Sequence, residues 1–180
     1  MRAVAVAALR TELLFSPGPK RALGVGSRAV EGLRRLLDRM NPAGVLVVGF
    51  SGATVPELNP GDLVLATSVG EIPVPDEIVR AAAAVLPGAV PGAIAQAERL
   101  LGPAAKARLG LDAVAVDMES ESLAAELRGR GIPFAVVRCV LDALWEDVDA
   151  GPRLRWAGRA LRCALRLGEA VRVLAPIWGW

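Results

Sequence analysis

Short runs of apolar residues alternate along this chain with longer segments whose apolar positions recur at helical spacing. Four continuous apolar runs predict buried strands, because a strand covered on both faces has no polar side: residues 2–9, 45–48, 114–116 and 134–140. Helical spacing over 27–40 and 153–174 predicts amphipathic helices, with Ser27 as the N-cap of the first. This alternation predicts a single α/β domain over residues 1–180 with a largely parallel sheet.

Weaker patterns lie between these segments. They predict a short strand at 21–25, a helix at 75–86, a strand at 89–95 and a helix at 97–109 that is interrupted at Gly102-Pro103. A glycine-rich turn precedes the helix that starts near Ser27, and backbone N–H groups at such a helix start can hold an anion. A tight strand-to-helix turn is the alternative interpretation.

Composition narrows the functional classes. The sequence is 53% hydrophobic with a mean hydropathy of +0.43, but Gly, Pro or charge interrupts each apolar run before about 18 residues, so no membrane span is expected. The formal net charge of +2 argues against a nucleic-acid partner. Arg10 and Glu12 interrupt the N-terminal run, which predicts a strand rather than a signal peptide and therefore a cytoplasmic protein.

The residue types that are scarce also limit the chemistry. The absence of histidine excludes Ser-His-Asp and Cys-His mechanisms and any His-ligated metal, and no cofactor or metal is implied. Cys139 and Cys163 are interpreted as free buried thiols. Of 21 basic residues only Lys20 and Lys106 are lysines, and this arginine dominance indicates a GC-rich, thermophilic source.

Acidic residues follow two of the predicted strands. Asp117, Glu119 and Glu121 come directly after the strand at 114–116, and Asp142 ends the strand at 134–140. Carboxylates at the C-terminal ends of buried strands are where an α/β protein places its chemistry, so Glu119 and Asp142 are expected across adjacent strands. For the first three acids, a capped and solvated helix start is the alternative.

Three segments in this order resemble the nucleoside phosphorylase and nucleosidase superfamily. They are the glycine turn and helix at 24–37, GVLVVGFSGATVPELNPGDLVLA at 44–66, and VAVDMESESLAAELRGRGIPFAVVRCVLD at 114–142. The resemblance is strongest to 5′-methylthioadenosine/S-adenosylhomocysteine nucleosidases and hopanoid-associated nucleoside phosphorylases. It implies a phosphorylase/hydrolase-like, three-layer α/β/α fold with a mostly parallel mixed sheet.

The resemblance implies roles for three carboxylates in cleaving an N-glycosidic bond. Asp142 matches the acid that assists departure of the purine at N7, and Glu119 matches the residue that grips the ribose hydroxyls. Glu12, after the N-terminal strand, matches the acid/base that activates the attacking water. Carboxylates with unlike environments and opposite roles are a general solution for glycosyl chemistry.

Five further residues are implied to hold the substrate or orient the site. Met118 would pack on the ribose face, and Arg138 would pair with a nearby acid. Phe50, Ser51 and Gly52 form the glycine-rich segment beside the substrate, where small residues allow close approach.

The nucleophile is predicted to be water. At the positions where phosphorylases of the superfamily bind phosphate, this chain has Val47 and Phe50, which cannot bind an anion, although Arg21 or Arg28 could substitute. The expected ligand is a small purine nucleoside, with phosphate as a candidate second ligand. A homo-oligomer is also expected, and the apolar residues 175–180 are expected to dock on the core or on a neighbouring subunit.

Two departures from the superfamily keep other functions open. Leu141 precedes Asp142 where relatives usually have a Ser that orients the acid, and the segments 13–23 and 67–88 are short. The alternatives are phosphorolysis, including that of an adenosyl-lipid precursor, and a non-catalytic nucleoside-binding or scaffold protein.

Overall fold

Eight strands form one mixed sheet flanked by five helices in the computed structural model, which describes residues 3–148 and 153–178. The strands are β1 (Val4–Ala7), β2 (Lys20–Ala22), β3 (Val45–Ala53), β4 (Leu63–Val69), β5 (Ile72–Pro73), β6 (Ala89–Gln96), β7 (Ala115–Asp117) and β8 (Phe134–Asp142). The helices are α1 (Ser27–Leu37), α2 (Asp76–Val85), α3 (Pro103–Leu109), α4 (Ser120–Gly129) and α5 (Arg153–Leu174). Short 3₁₀ turns cover Thr11–Leu13 and Ala175–Trp178.

Strand β3 is the centre of the sheet. The strand order is β2-β1-β3-β7-β6-β4-β5, and β8 pairs with both β3 and β4, so β3, β7, β6, β4 and β8 close into a ring. Most pairings are parallel, and β3–β7, β4–β5 and β4–β8 are antiparallel. The first four residues of β3 are fully buried, as expected for a strand covered on both faces.

Helices pack on the sheet through their apolar stripes. Helix α5 packs on β3 and β8 and contacts α2, whereas α4 packs on β4, β5, β6 and β8 and contacts α1. The predicted three-layer α/β/α class with a mostly parallel mixed sheet is confirmed. Within residues 3–148 and 153–178, no helix is both long and apolar enough to cross a bilayer.

Several predicted boundaries are wrong for local reasons. Residues 97–102 are not helical, because Gly102 is extended and Pro103 opens α3 at its first turn. Gly26, with φ of 61°, is the N-cap of α1 in place of Ser27. The glycine-rich segment that follows Val48 continues β3 as far as Ala53 and is not a loop.

The strands that carry Glu119 and Asp142 are not adjacent, contrary to the prediction. Strand β3 lies between β7 and β8, with Gly52 paired to Val116 on one side and to Asp142 on the other. The two acids therefore face each other across the end of β3.

Two other predictions concern buried side chains. Cys139 and Cys163 are free and buried, as predicted. Ile177 and Trp178 pack against the core, with the Trp178 ring over Gly44. Residues 179–180 of the apolar C-terminus and most of the loop predicted at 147–152 lie outside the described residues.

Candidate active site

A cavity of about 200 Å³ opens where β3, β7 and β8 end. Seven of the eight predicted site residues line it: Glu12, Phe50, Ser51, Gly52, Met118, Glu119 and Asp142. Arg138 is buried and is not among the lining residues. Strands β3 and β8 are parallel, so their carboxyl ends meet at one edge of the sheet, and the antiparallel β7 brings residues 117–119 to the same place.

Glu12 is fixed by two backbone donors. It lies in the 3₁₀ turn after β1, is 4% exposed, and accepts hydrogen bonds from the Leu9 N–H at 2.7 Å and the Phe50 N–H at 2.8 Å. Burial raises the pKa of Glu12, although the nearby Arg138 charge and both backbone donors oppose this change. A raised pKa suits a carboxylate that takes a proton near neutral pH.

Arg138 is the buried cation beneath this end of the sheet. Its guanidinium forms an ion pair with Asp117, and its Nη2 and Nε donate to Ser120 Oγ at 2.7 Å and 3.0 Å. Asp117 Oδ1 also accepts the Ser120 N–H at 3.1 Å, so it caps the start of α4. The predicted pairing of Arg138 with an acid is therefore present. Asp117 caps the helix, as the alternative interpretation expected, but it is buried and not solvated.

Gly49 is required by the position of Arg138. A Cβ added at Gly49 would lie 1.7 Å from Arg138 Nη1 and 2.9 Å from Glu12 Oε1. The guanidinium therefore packs directly on the β3 backbone, next to the Glu12 carboxylate.

Glu119 links the cavity to the glycine turn before α1. Its Oε1 accepts a hydrogen bond from the Gly26 N–H at 3.2 Å, so this turn is occupied by a carboxylate of the protein itself. Burial raises the pKa of Glu119, against the lowering effects of the Gly26 hydrogen bond and of Arg138. Met118, which precedes Glu119, is half-buried and lines the cavity.

Asp142 is held by a lysine that the sequence interpretation missed. Lys106 Nζ lies 2.6 Å from Asp142 Oδ2, and the ammonium group is almost completely buried. Burial raises the pKa of Asp142, whereas the hydrogen bond and charge of Lys106 oppose the rise. One of only two lysines in an arginine-rich chain, within an alanine-rich helix, was the signal that could have identified it.

The β3 residues complete the wall between Glu12 and Asp142. Phe50 supplies its N–H to Glu12 and is half-buried, and the buried Ser51 hydroxyl has no hydrogen-bond partner among the described residues. A Cβ at Gly52 would meet Asp142 Oδ2 at 3.0 Å, so glycine allows the carboxylate to lie against the strand.

Few cations are available for an added anion. Among the described residues that line the cavity, the basic ones are Arg99, which is exposed, and Lys106. Neither Arg21 nor Arg28 is among the lining residues. The arrangement brings together three buried carboxylates of raised pKa and a free hydroxyl, which suits proton transfer to and from a small polar ligand.

Comparison with known proteins places the fold. No protein-family model matches the chain, and no curated protein matches it in sequence. Among solved structures, the 5′-methylthioadenosine/S-adenosylhomocysteine nucleosidase of Campylobacter jejuni is similar, with 16% identity, a TM-score of 0.82, and coverage of 97% of this chain and 98% of that one.

Two further structures agree equally well. A futalosine hydrolase mutant of Helicobacter pylori has 16% identity and a TM-score of 0.83, and the match covers 97% of this chain and 98% of that one. The nucleosidase of S. pneumoniae with the transition-state inhibitor MT-ImmA has 14% identity, a TM-score of 0.83 and the same coverage of 97% and 98%. The chain therefore has the fold of the methylthioadenosine/S-adenosylhomocysteine nucleosidases and futalosine hydrolase.

Proposed function

We propose that this protein hydrolyses the N-glycosidic bond of a purine nucleoside derivative similar to methylthioadenosine or S-adenosylhomocysteine. The observation that carries the proposal is the convergence of Glu12, Glu119 and Asp142, from three separate elements, on one cavity. Each of the three is buried, and burial raises the pKa of each. Such groups can exchange protons with a substrate near neutral pH.

The three carboxylates have different surroundings, which supports different roles. Glu12 receives two backbone N–H bonds but keeps a free lone pair on each oxygen, so it can accept a proton from water. Asp142, across the end of β3 from Glu119, would give its proton to the departing base, and Glu119 would bind the ribose hydroxyls. General acid–base assistance of this kind contributes roughly 10²–10⁴-fold to a rate.

Other lining residues would position the substrate. The unpartnered Ser51 hydroxyl would donate to or accept from the nucleoside, because a buried hydroxyl without a hydrogen bond is costly until a ligand supplies one. Met118 would pack on the sugar, and Phe50 and Gly52 would form the floor. Arg138 would act from below by pairing with Asp117 and by its charge on Glu12.

Water is the proposed nucleophile. Lys106 uses all three ammonium protons within the protein, and Arg99 is exposed, so the described cavity offers no fixed cation for phosphate. One solved relative of this fold is a Helicobacter pylori nucleosidase mutant with 5′-methylthioadenosine in its active site. That occupant matches the proposed class of substrate.

A base-release screen tests the proposal. Purified protein is incubated with methylthioadenosine, S-adenosylhomocysteine, futalosine and inosine, each with and without phosphate, and the free base and sugar product are quantified. The proposal expects base release from at least one nucleoside without phosphate. Release that requires phosphate would establish phosphorolysis, and binding without release would establish a non-catalytic nucleoside-binding protein.

We also propose that the protein is a cytoplasmic homo-oligomer from a thermophilic source. The apolar side chains at the cavity rim, Leu9, Val25 and Leu100, are 44%, 44% and 52% exposed, which suits a surface that a second copy covers. Light scattering with size-exclusion chromatography and a thermal melt test the assembly and the stability.

A further inference from the structure

The environment of Lys106 differs from that of an ordinary lysine. The side chain on α3 is 1% exposed, and its Nζ donates to Asp142 Oδ2 at 2.6 Å, to the Ala143 carbonyl at 2.6 Å and to the Glu146 carbonyl at 2.7 Å. An ammonium group has three protons, so each one has an acceptor. Lys106 is therefore fixed in place and has no proton left for a ligand.

This arrangement controls the orientation of Asp142. Oδ2 is held by Lys106, whereas Oδ1 receives no hydrogen bond from the described residues, and the side chain borders the cavity. The preceding residue, Leu141, has no polar group that could orient the acid. The orientation of the carboxyl group thus depends on Lys106.

We propose that Lys106 is the positioning residue for the base-leaving step, holding Asp142 so that Oδ1 faces the purine and stabilising the carboxylate that forms there. The inference rests on the proposed function. As the glycosidic bond breaks, its electron pair moves to the base and N7 takes the proton from Asp142. Water forms the new bond to C1′ and gives a proton to Glu12, and exchange with solvent returns both carboxyl groups to their starting states.

Other charged groups near Asp142 set the baseline for its titration. Glu146 raises and Arg159 lowers the pKa of Asp142, in both cases less than burial and Lys106 change it. The Glu146 carboxylate is itself bound by Arg159 and Arg155. Glu12 and Glu119 line the same cavity.

The test compares pH profiles of kcat/KM for base release by the full-length protein, using methylthioadenosine as the probe. The variant K106M removes the charge, K106Q removes the charge but keeps a hydrogen-bond donor, and K106R keeps the charge. Arg34→Met is the control, because it removes a cation from an exposed ion pair with Glu126 and neither residue lines the cavity.

The sign of the expected change follows from the charge. Asp142 acts in its protonated form, so activity falls as pH rises through its pKa. Loss of a cation 2.6 Å away raises that pKa, so the alkaline limb in K106M and K106Q should move up by about 1–3 pH units. We also expect kcat to fall at least about tenfold, because the carboxyl group is no longer oriented. K106R should keep the limb near its original position.

A second measurement is independent of turnover. The ¹³C chemical shift of the Asp142 carboxyl carbon is followed as a function of pH in the wild type and in K106Q, and gives the pKa of the carboxyl group. D142N is used to assign the signal. The inference expects the same upward shift, and K106Q serves if K106M does not fold. An Asp142 pKa that is unchanged in K106Q, together with an unmoved alkaline limb of its kcat/KM profile, would overturn the inference. If the wild type releases no base from any nucleoside of the screen, the proposed function fails, whereas the NMR titration still decides whether Lys106 controls Asp142.

Discussion

Replacing Arg138 with methionine tests how much the buried ion pair beneath the cavity stabilises the protein. The change removes the guanidinium that pairs with Asp117 while keeping an unbranched side chain in the same space. The side chains of Arg138 and Asp117 are both 2% exposed, so Asp117 would become an unpaired buried charge. Loss of one partner from such a pair costs about 3–5 kcal/mol.

The structure places the expected loss near the lower end of that range. Ser120 continues to donate its N–H and its hydroxyl to Asp117 after the substitution, so part of the hydrogen bonding survives. A loss of about 3 kcal/mol lowers the melting temperature by roughly 6–12 °C for a chain of this size. Urea unfolding followed by circular dichroism gives the free energy directly.

A matched control distinguishes the effect of burial on stability from the effect of ion pairing alone. Arg34 pairs with Glu126 at a comparable distance of 2.8 Å, but its side chain is 57% exposed. Arg34→Met should therefore cost no more than about 1 kcal/mol. Equal losses in the two variants would refute the argument that burial makes the Arg138 pair different.

The same substitution should change the pH dependence of activity. Arg138 lowers the pKa of both Glu12 and Glu119, so its removal raises both. Glu12 is proposed to act as a base, which requires its ionised form. The acidic limb of the kcat/KM profile should therefore move to higher pH, and an unmoved limb in a folded variant would argue against Glu12 as the base.

Two further predictions concern the cavity. Gly52→Ala should reduce base release by about 10–100-fold with little loss of stability, because its Cβ would displace the Asp142 carboxylate. Gly129→Ala is the control and should leave activity unchanged, because no atom lies within 4 Å of the new Cβ. Because burial raises the pKa of Glu12, Glu119 and Asp142, their protonated forms favour folding. That contribution is complete below the unfolded values of about 4 and is lost as pH rises through the higher folded values, so the unfolding free energy should fall as pH rises above about 4. Substituting any of the three should flatten the decline, and a rise over this range would contradict it.

Local sequence patterns were enough to predict most strands and helices, but not how the strands pair to close the ring. The apolar run at 45–48 identified β3, whereas its continuation to Ala53 depends on pairing with β7 and β8. The antiparallel β4–β8 pairing that closes the ring joins segments about 75 residues apart, and its register is set by tertiary contacts. Helix α3 is short because Pro103 starts it.

In the candidate site, too, the local motifs predicted some residues, whereas others depend on tertiary packing. The resemblance of the acidic motifs led to Glu12, Glu119 and Asp142, and all three line the cavity. The partner of Asp142 was missed, because a lysine in a helix is expected on the wet face, and only the tertiary fold brings the Lys106 side chain against Asp142 at the end of β8. The choice of Asp117 as the partner of Arg138 likewise depends on how β7 and β8 flank β3.

Adenine release from methylthioadenosine in phosphate-free buffer is the decisive test of whether this cavity is a hydrolytic active site. We expect the wild type to release adenine and ribosyl product in equal amounts, and Asp142→Asn and Glu12→Gln each to reduce the rate by about 10²–10⁴-fold in folded protein. Wild-type activity that survives both substitutions unchanged would contradict the assignment of this cavity as the catalytic site.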